Sequence, residues 1–338
     1  MTSDADRSDS PVASSTPPGL TTPPGLTTFT IAGRRAPALF VVGWLASLLG
    51  LGVAIVGLLR GGGLAGAVLF TVGLAVLGLG LIAAAGSQAI ERRATAHRPY
   101  AGPSPVLVFA AVLPLTLVVV IAVGTPLVGL GVDPNGPLAA VISLAAIAAV
   151  YVVLIRLLVV GTGALGWGAM GVRRPGRGVV EDLAWGAVLG VPVLFATGIL
   201  ASLLARFLPI PPNVLPPAPD TAGLILNLLA AALIAPIGEE VFFRGFVTTA
   251  WARTDGPRVA LVRGSLFFAI AHVLTLTGGD AGQALGFAVF AFLARLPVAF
   301  TLGWLFLRRG SLYAPIALHV VFNGLQVLAL AAVGGVTG

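Results

Sequence analysis

Runs of about 20 apolar residues recur along the chain, and each is long enough to cross a bilayer. They fall near 36–59, 64–85, 105–131, 137–160, 181–205, 221–236, 259–276, 282–307 and 312–334, and the run at 221–236 is expected to continue as helix to about 252. In hydrocarbon every backbone N–H and C=O needs an internal partner, which leaves helices as the way for such runs to span. Of 338 residues 57% are hydrophobic and 9% charged, against about a quarter charged in a soluble domain. The expected fold is therefore all-α, a polytopic transmembrane helical bundle of about eight or nine spans, in an integral membrane protein.

The net charge of +7 comes from arginine alone, since the chain has no lysine. Arg34 and Arg35 precede the first run, and Arg92, Arg93 and Arg98 follow the second. Arg173, Arg174 and Arg177 follow the fourth, Arg253 and Arg258 the sixth, and Arg308 and Arg309 the eighth. If the runs alternate, these all lie on one side, and Arg60 and Arg206 alone lie opposite. The positive-inside rule then makes the N-terminus cytoplasmic. This pattern fits membrane orientation better than a nucleic-acid surface. With no cysteine, disulfides, thiolate metal sites and cysteine nucleophiles are excluded.

Residues 1–33 read as a disordered cytoplasmic tail, with three aspartates and the repeat TPPGLT at 16–21 and 22–27. The stretch RRPGRG near 175–180 suggests a boundary. It divides an N-terminal transmembrane scaffold of about four helices, 34–178, from a working domain, 179–338, which holds the buried acids.

Glu239 and Glu240, in IGEEVFFRGF, interrupt a membrane run. A charge at mid-membrane costs roughly 2.5–3.5 kcal/mol on insertion scales and marks function by default. Glu240 and Arg244 are four apart with the acid first, the favourable order for a helical ion pair. Glu239 points about 100° away and is free for another task. His272 lies in FFAIAHV, and His319 and Asn323, four apart, share a face of the last run. A carboxylate, two imidazoles and a carboxamide from three helices suit activation of a water. Glu239 would be the general base and Asn323 an oxyanion donor. His272 and His319 would either hold zinc through neutral imidazole or orient water and substrate without a metal. Each histidine taken singly also fits an interhelical hydrogen bond, and the two glutamates fit a structural ion-pair node with Arg244. His97 reads as a loop residue and Arg156 as a snorkelling one. Arg295, two residues before Pro297, marks a helix break or a second counter-charge. No G-x-S-x-G, H-E-x-x-H or phosphate-binding glycine loop is present, and the 45 glycines suit close helix packing.

Glu-Glu followed after three residues by Arg-Gly, then Phe268 four before His272, then His319 four before Asn323, resembles the CPBP family of intramembrane proteases. That family includes CAAX prenyl proteases and bacteriocin-processing, Abi-type proteins. The resemblance covers roughly residues 180–335. It implies an intramembrane endopeptidase in which Glu239 activates water, His272 and His319 complete the site, Asn323 stabilises the oxyanion, and Glu240 and Arg244 support it. The family is usually called a metalloprotease, which would make His272 and His319 metal ligands and zinc a cofactor; a metal-free glutamate mechanism is the other possibility. Its substrate would be a membrane-associated or lipidated peptide, or a bacteriocin-like one. The expected location is the bacterial plasma membrane, suggested by the Ala/Gly/Val/Leu/Arg bias. The alternatives are a non-catalytic immunity or scaffold protein that binds a peptide in the same cavity, and an ion-coupled transporter. The absence of similarity between the halves disfavours the transporter.

One expectation strains this scheme. In straight helices His272 falls near the outer end of its run and His319 near the cytoplasmic end of its own. Tilt, a break at 236–238 or near Pro297, or a shifted span limit would bring them level.

Overall fold

The computed structural model describes residues 36–94, 99–212, 215–218 and 220–334. The N-terminal tail with its repeat, Arg34, Arg35, His97 and Arg98 lie outside them. The described residues form a helical bundle without strands. Its helices are α1 (Ala36–Leu59), α2 (Leu64–Ala94), α3 (Pro105–Gly129), α4 (Pro137–Val160), α5 (Arg177–Leu204), α6 (Thr221–Asp255), α7 (Pro257–Ala271), α8 (Ala281–Arg309) and α9 (Tyr313–Gly334). Among the described residues eight of these are long and apolar enough to cross a membrane, all but α7.

The span expected at 259–276 is thus corrected. Helix α7 has 15 residues, about 22 Å, short of the roughly 30 Å hydrocarbon core. It ends where His272 caps it, and residues 272–280 lead to the start of α8.

Small residues set the helix contacts, as expected where lipid gives helices no hydrophobic reason to associate. In the α1–α2 hairpin, Gly43, Gly50 and Gly57 face Gly80, Gly73 and Gly66. A Cβ on Gly43 would lie 2.6 Å from the Ala84 nitrogen, so the two backbones are in contact. Gly186 and Gly190 of α5 meet Ala314, Leu318 and Val321 of α9 in the same way. Helix α4, from the N-terminal half, packs along α6: Gly238 sits against Ala148, and the Tyr151 ring stacks on Phe242 at 4.5 Å. The buried rings of Phe109, Tyr151, Phe242, Phe243, Phe246 and Phe268 join α3, α4, α6 and α7 in one aromatic core.

An ion-pair node closes one end of the bundle. The fully buried carboxylate of Asp182 accepts from Arg309 Nε at 2.6 Å and from Arg173 Nη1 at 3.3 Å. The Tyr313 hydroxyl donates to the Arg173 carbonyl, and the Leu312 N–H to the Gly171 carbonyl. Gly310, in the left-handed region at φ 59°, ends α8 and lets the chain turn inward there. Arg93 lies over Gly163, in the loop that also carries Arg173. Arginines that the sequence assigns to one side therefore gather at one end.

This inward turn removes the depth conflict. Glu239 lies 16 residues before the end of α6, and His272 lies 15 after the start of α7. The two are therefore level, about 22–24 Å from the turn at Gly256. Helix α9 begins well inside that turn, because Leu312 packs on Gly245. From there Glu239 is six residues back along α6 and His319 seven forward along α9, about 9–10 Å each. Neither predicted break occurs: α6 stays helical through 236–238, and α8 runs unbroken through Pro297.

Candidate active site

Helix α6 alternates α-helical and wide π-helical turns, with π turns at Leu228–Ile234 and Val241–Thr248 flanking Ala235–Glu240. Such turns leave carbonyls with altered partners and cluster at functional sites. In the first, the Ala235 N–H bonds to the Ala230 carbonyl. The next N–H in that pattern would belong to Pro236, which has none. The Ala231 carbonyl is thereby left for another donor, and the Asn323 amide supplies it at 2.8 Å. Within the second, Thr248 and Thr249 hydroxyls donate back five residues, to Phe243 and Arg244.

The two adjacent glutamates part company as their spacing predicts. Glu240 is fully buried, and its Oε1 accepts from Arg244 Nη1 at 2.9 Å. The same oxygen lies 2.8 Å from His319 Nδ1, a contact that sequence reasoning missed. Arg244 is also used up: Nη2 donates to the Ala299 carbonyl at 3.3 Å, and the guanidinium lies 4.2 Å over the Phe268 ring. Glu239 turns the other way. Its Oε2 is 3.4 Å from His272 Nε2 and 3.9 Å from His319 Nε2, and has no hydrogen-bond partner of its own.

The far nitrogen of each ring defines its tautomer. His272 Nδ1 lies 2.8 Å from the Phe268 carbonyl, which can only accept, so Nδ1 carries a hydrogen. His319 Nδ1 faces the Glu240 carboxylate and carries one likewise. In the neutral rings both Nε2 lone pairs then point toward Glu239. Phe268 is a shared platform beneath them, its ring centroid 4.3 Å from that of His272 and 5.9 Å from that of His319. His319 is buried, while the side chains of Glu239 and His272 keep 18% and 22% exposure. The Glu239 Oε2 atom itself is buried, so the exposed part of the site is the rest of the Glu239 and His272 side chains.

All the residues that sequence reasoning singled out in α6, α7 and α9 meet here. Asn323 joins through α6 rather than by touching Glu239 or a histidine. Phe268, named in the sequence only by its spacing from His272, forms one wall of the site, and Tyr151 of α4, which packs on Phe242 beside Gly238, went unnoticed. A zinc centre needs at least three protein ligands, and among the described residues no group of three or more His, Asp or Glu side chains is arranged to hold a metal ion.

Residues 221–325 match the family model described as type II CAAX prenyl endopeptidase Rce1-like. No curated protein and no solved structure gives a significant match. The matched stretch runs from the start of α6 into α9 and contains Glu239, Glu240, Arg244, His272, His319 and Asn323. In this integral membrane protein the stretch similar to the Rce1-like type II CAAX prenyl endopeptidase model thus spans helices α6 to α9, and the match agrees with the three sequence motifs.

Proposed function

We propose that the chain is an intramembrane endopeptidase that hydrolyses a peptide bond with water activated by Glu239. The observation that carries this reading is the convergence of His272 Nε2 and His319 Nε2 on Glu239 Oε2. A water there can donate one hydrogen to Glu239 Oε2 and the other to one of the two Nε2 atoms, leaving its oxygen to attack. Glu239 takes one proton as the water oxygen bonds to the substrate carbonyl carbon, and that carbonyl becomes an oxyanion. When the intermediate collapses, the C–N bond breaks and Glu239 returns the proton to the leaving nitrogen. The products are a carboxylate and an amine.

His272 and His319 hold the water against Glu239. Asn323 has two amide hydrogens; one is bound by Ala231, which fixes the group, and the other remains for the oxyanion. Glu240 and Arg244 fix His319 and neutralise each other. No step is routed through a metal. The substrate is a membrane-anchored or lipidated peptide, or a bacteriocin-like one, reaching the site from within the bilayer. The arginine-rich end faces the cytoplasm by the positive-inside rule, in a bacterial plasma membrane.

The test is incubation of the reconstituted protein with a library of membrane-embedded peptides, with new termini read by mass spectrometry. Fragments with free carboxylate and amine ends are expected. Stable retention of a peptide without any fragment would favour the non-catalytic binding reading instead.

A further inference from the structure

Arg295 belongs to none of the three motifs, and its placement is unusual. It lies 14 residues from each end of α8, about 21 Å in either direction, which is the centre of the span. Ala291, Arg295 and Ala299 are four apart and share one helix face. That face looks onto the site, because the Ala299 carbonyl accepts both Arg244 Nη2 and Ser265 Oγ. Helices α6 and α8 run parallel toward the arginine-rich end. One turn back from Ala299 is Arg295, and one turn back from Arg244 is Glu240, so Arg295 is level with the two glutamates.

A guanidinium is rarely held at mid-membrane without a use. Arg244 is held by Glu240, the Ala299 carbonyl and the Phe268 ring, whereas Arg295 has no such set of partners. Its Nη1 makes a 3.3 Å bond to the Ala291 carbonyl of its own helix. Among the described residues no carboxylate oxygen stands at ion-pair distance from it, although Glu239 is within electrostatic range. The side chain is partly exposed. Among the described residues most of its five donors thus have no partner, at the level of the two glutamates.

We propose that Arg295 binds a carboxylate of the peptide substrate and so fixes which bond is presented to Glu239. The proposal rests on the hydrolase reading for its meaning. The planar fork of donors matches a carboxylate in bidentate fashion. Lipid phosphates stay at the interface, about 21 Å from Arg295 by its position in α8, whereas a peptide entering the site brings its carboxylate to that depth. Arg295 is a specificity-determining residue rather than one that handles the reacting atoms.

Binding can be read without turnover, in nanodiscs, with fluorescent hydrophobic peptides of one sequence. One ends in a free carboxylate, one in a carboxamide, and one is amidated but carries a glutamate near its end. Wild-type protein and Glu239→Gln should both bind the free acid about tenfold or more tighter than the amide. Preference for the third peptide over the plain amide would assign the carboxylate to a side chain; preference for the free acid alone would assign it to the terminus. Arg295→Gln should bind acid and amide equally, and Arg295→Lys should keep part of the preference. Equal affinity of wild type for all three, no binding of either acid-bearing peptide, or an unchanged preference in Arg295→Gln would overturn the proposal. None of these results bears on whether Glu239 is needed for cleavage, so the two claims fail separately.

Discussion

His319 Nδ1 and Glu240 Oε1 lie 2.8 Å apart, joining residues 79 positions distant in sequence. Glu240 therefore both neutralises Arg244 and sets the ring of His319, using a single oxygen for both. This makes the second glutamate of the pair an orienting group for the first.

Separating these two tasks gives the first prediction. Arg244→Ala leaves Glu240 buried without its counter-charge, a loss of about 3–5 kcal/mol in comparable buried pairs. Folded yield and thermal stability in detergent should both fall. Glu240→Gln keeps an acceptor for His319 but takes the charge from Arg244, so yield should fall more than the residual specific activity of the folded fraction. Normal yield of Arg244→Ala would show that the pair is not what holds α6 in place.

Asn323 has a structural and a chemical task, and a double substitution separates them. Asn323→Ala should lower kcat about 10²–10³-fold if the free amide hydrogen stabilises an oxyanion, and should also leave the Ala231 carbonyl without its donor. Pro236→Ala restores a backbone N–H in the adjacent turn. In the Asn323→Ala background it should recover stability but not kcat. Recovery of both would mean that Asn323 is a tether alone.

The α5–α9 contact predicts a steric effect on chemistry at a distance. A Cβ on Gly186 would collide with the Ala314 carbonyl and approach Leu318, next to His319. Gly186→Val should displace α9, lowering both yield and cleavage. Gly198→Val on the same helix meets nothing within 4 Å and should be close to neutral. Equal behaviour of the two variants would contradict the packing account.

Metal dependence is a direct check on the proposed chemistry. Since that chemistry activates the water with Glu239 and routes no step through a metal, a strong chelator should leave the cleavage rate unchanged. Loss of activity with chelator and its return on adding zinc would show that His272 and His319 rearrange around a metal.

The site residues were legible in the sequence because each pair lies within one helical turn. Glu240 with Arg244, Phe268 with His272, and His319 with Asn323 are all four apart, so local spacing reveals their shared faces. Their mutual depth was not legible. It depends on Gly310 turning the chain inward and Leu312 packing on Gly245, contacts between residues far apart in sequence. Hydropathy also overran the end of α7, since residues 273–276 continue apolar past the His272 cap. The role of α4 was hidden for a related reason. Tyr151 and Ala148 carry no charge and look like ordinary lipid-facing residues until α6 is placed beside them. The sequence likewise marked Pro236 as a breaker, whereas the helix absorbs it by widening and gives its orphaned carbonyl to Asn323.

Whether Glu239 activates the water is decided by comparing wild type with Glu239→Gln. Both proteins would be reconstituted in liposomes with a peptide that the wild type cleaves, and initial rates measured at equal folded amounts. Glu239→Gln should reach wild-type levels in the membrane and lose cleavage by about 10²–10⁴-fold or more. Cleavage at near the wild-type rate would contradict this expectation, and would move the general base to another group.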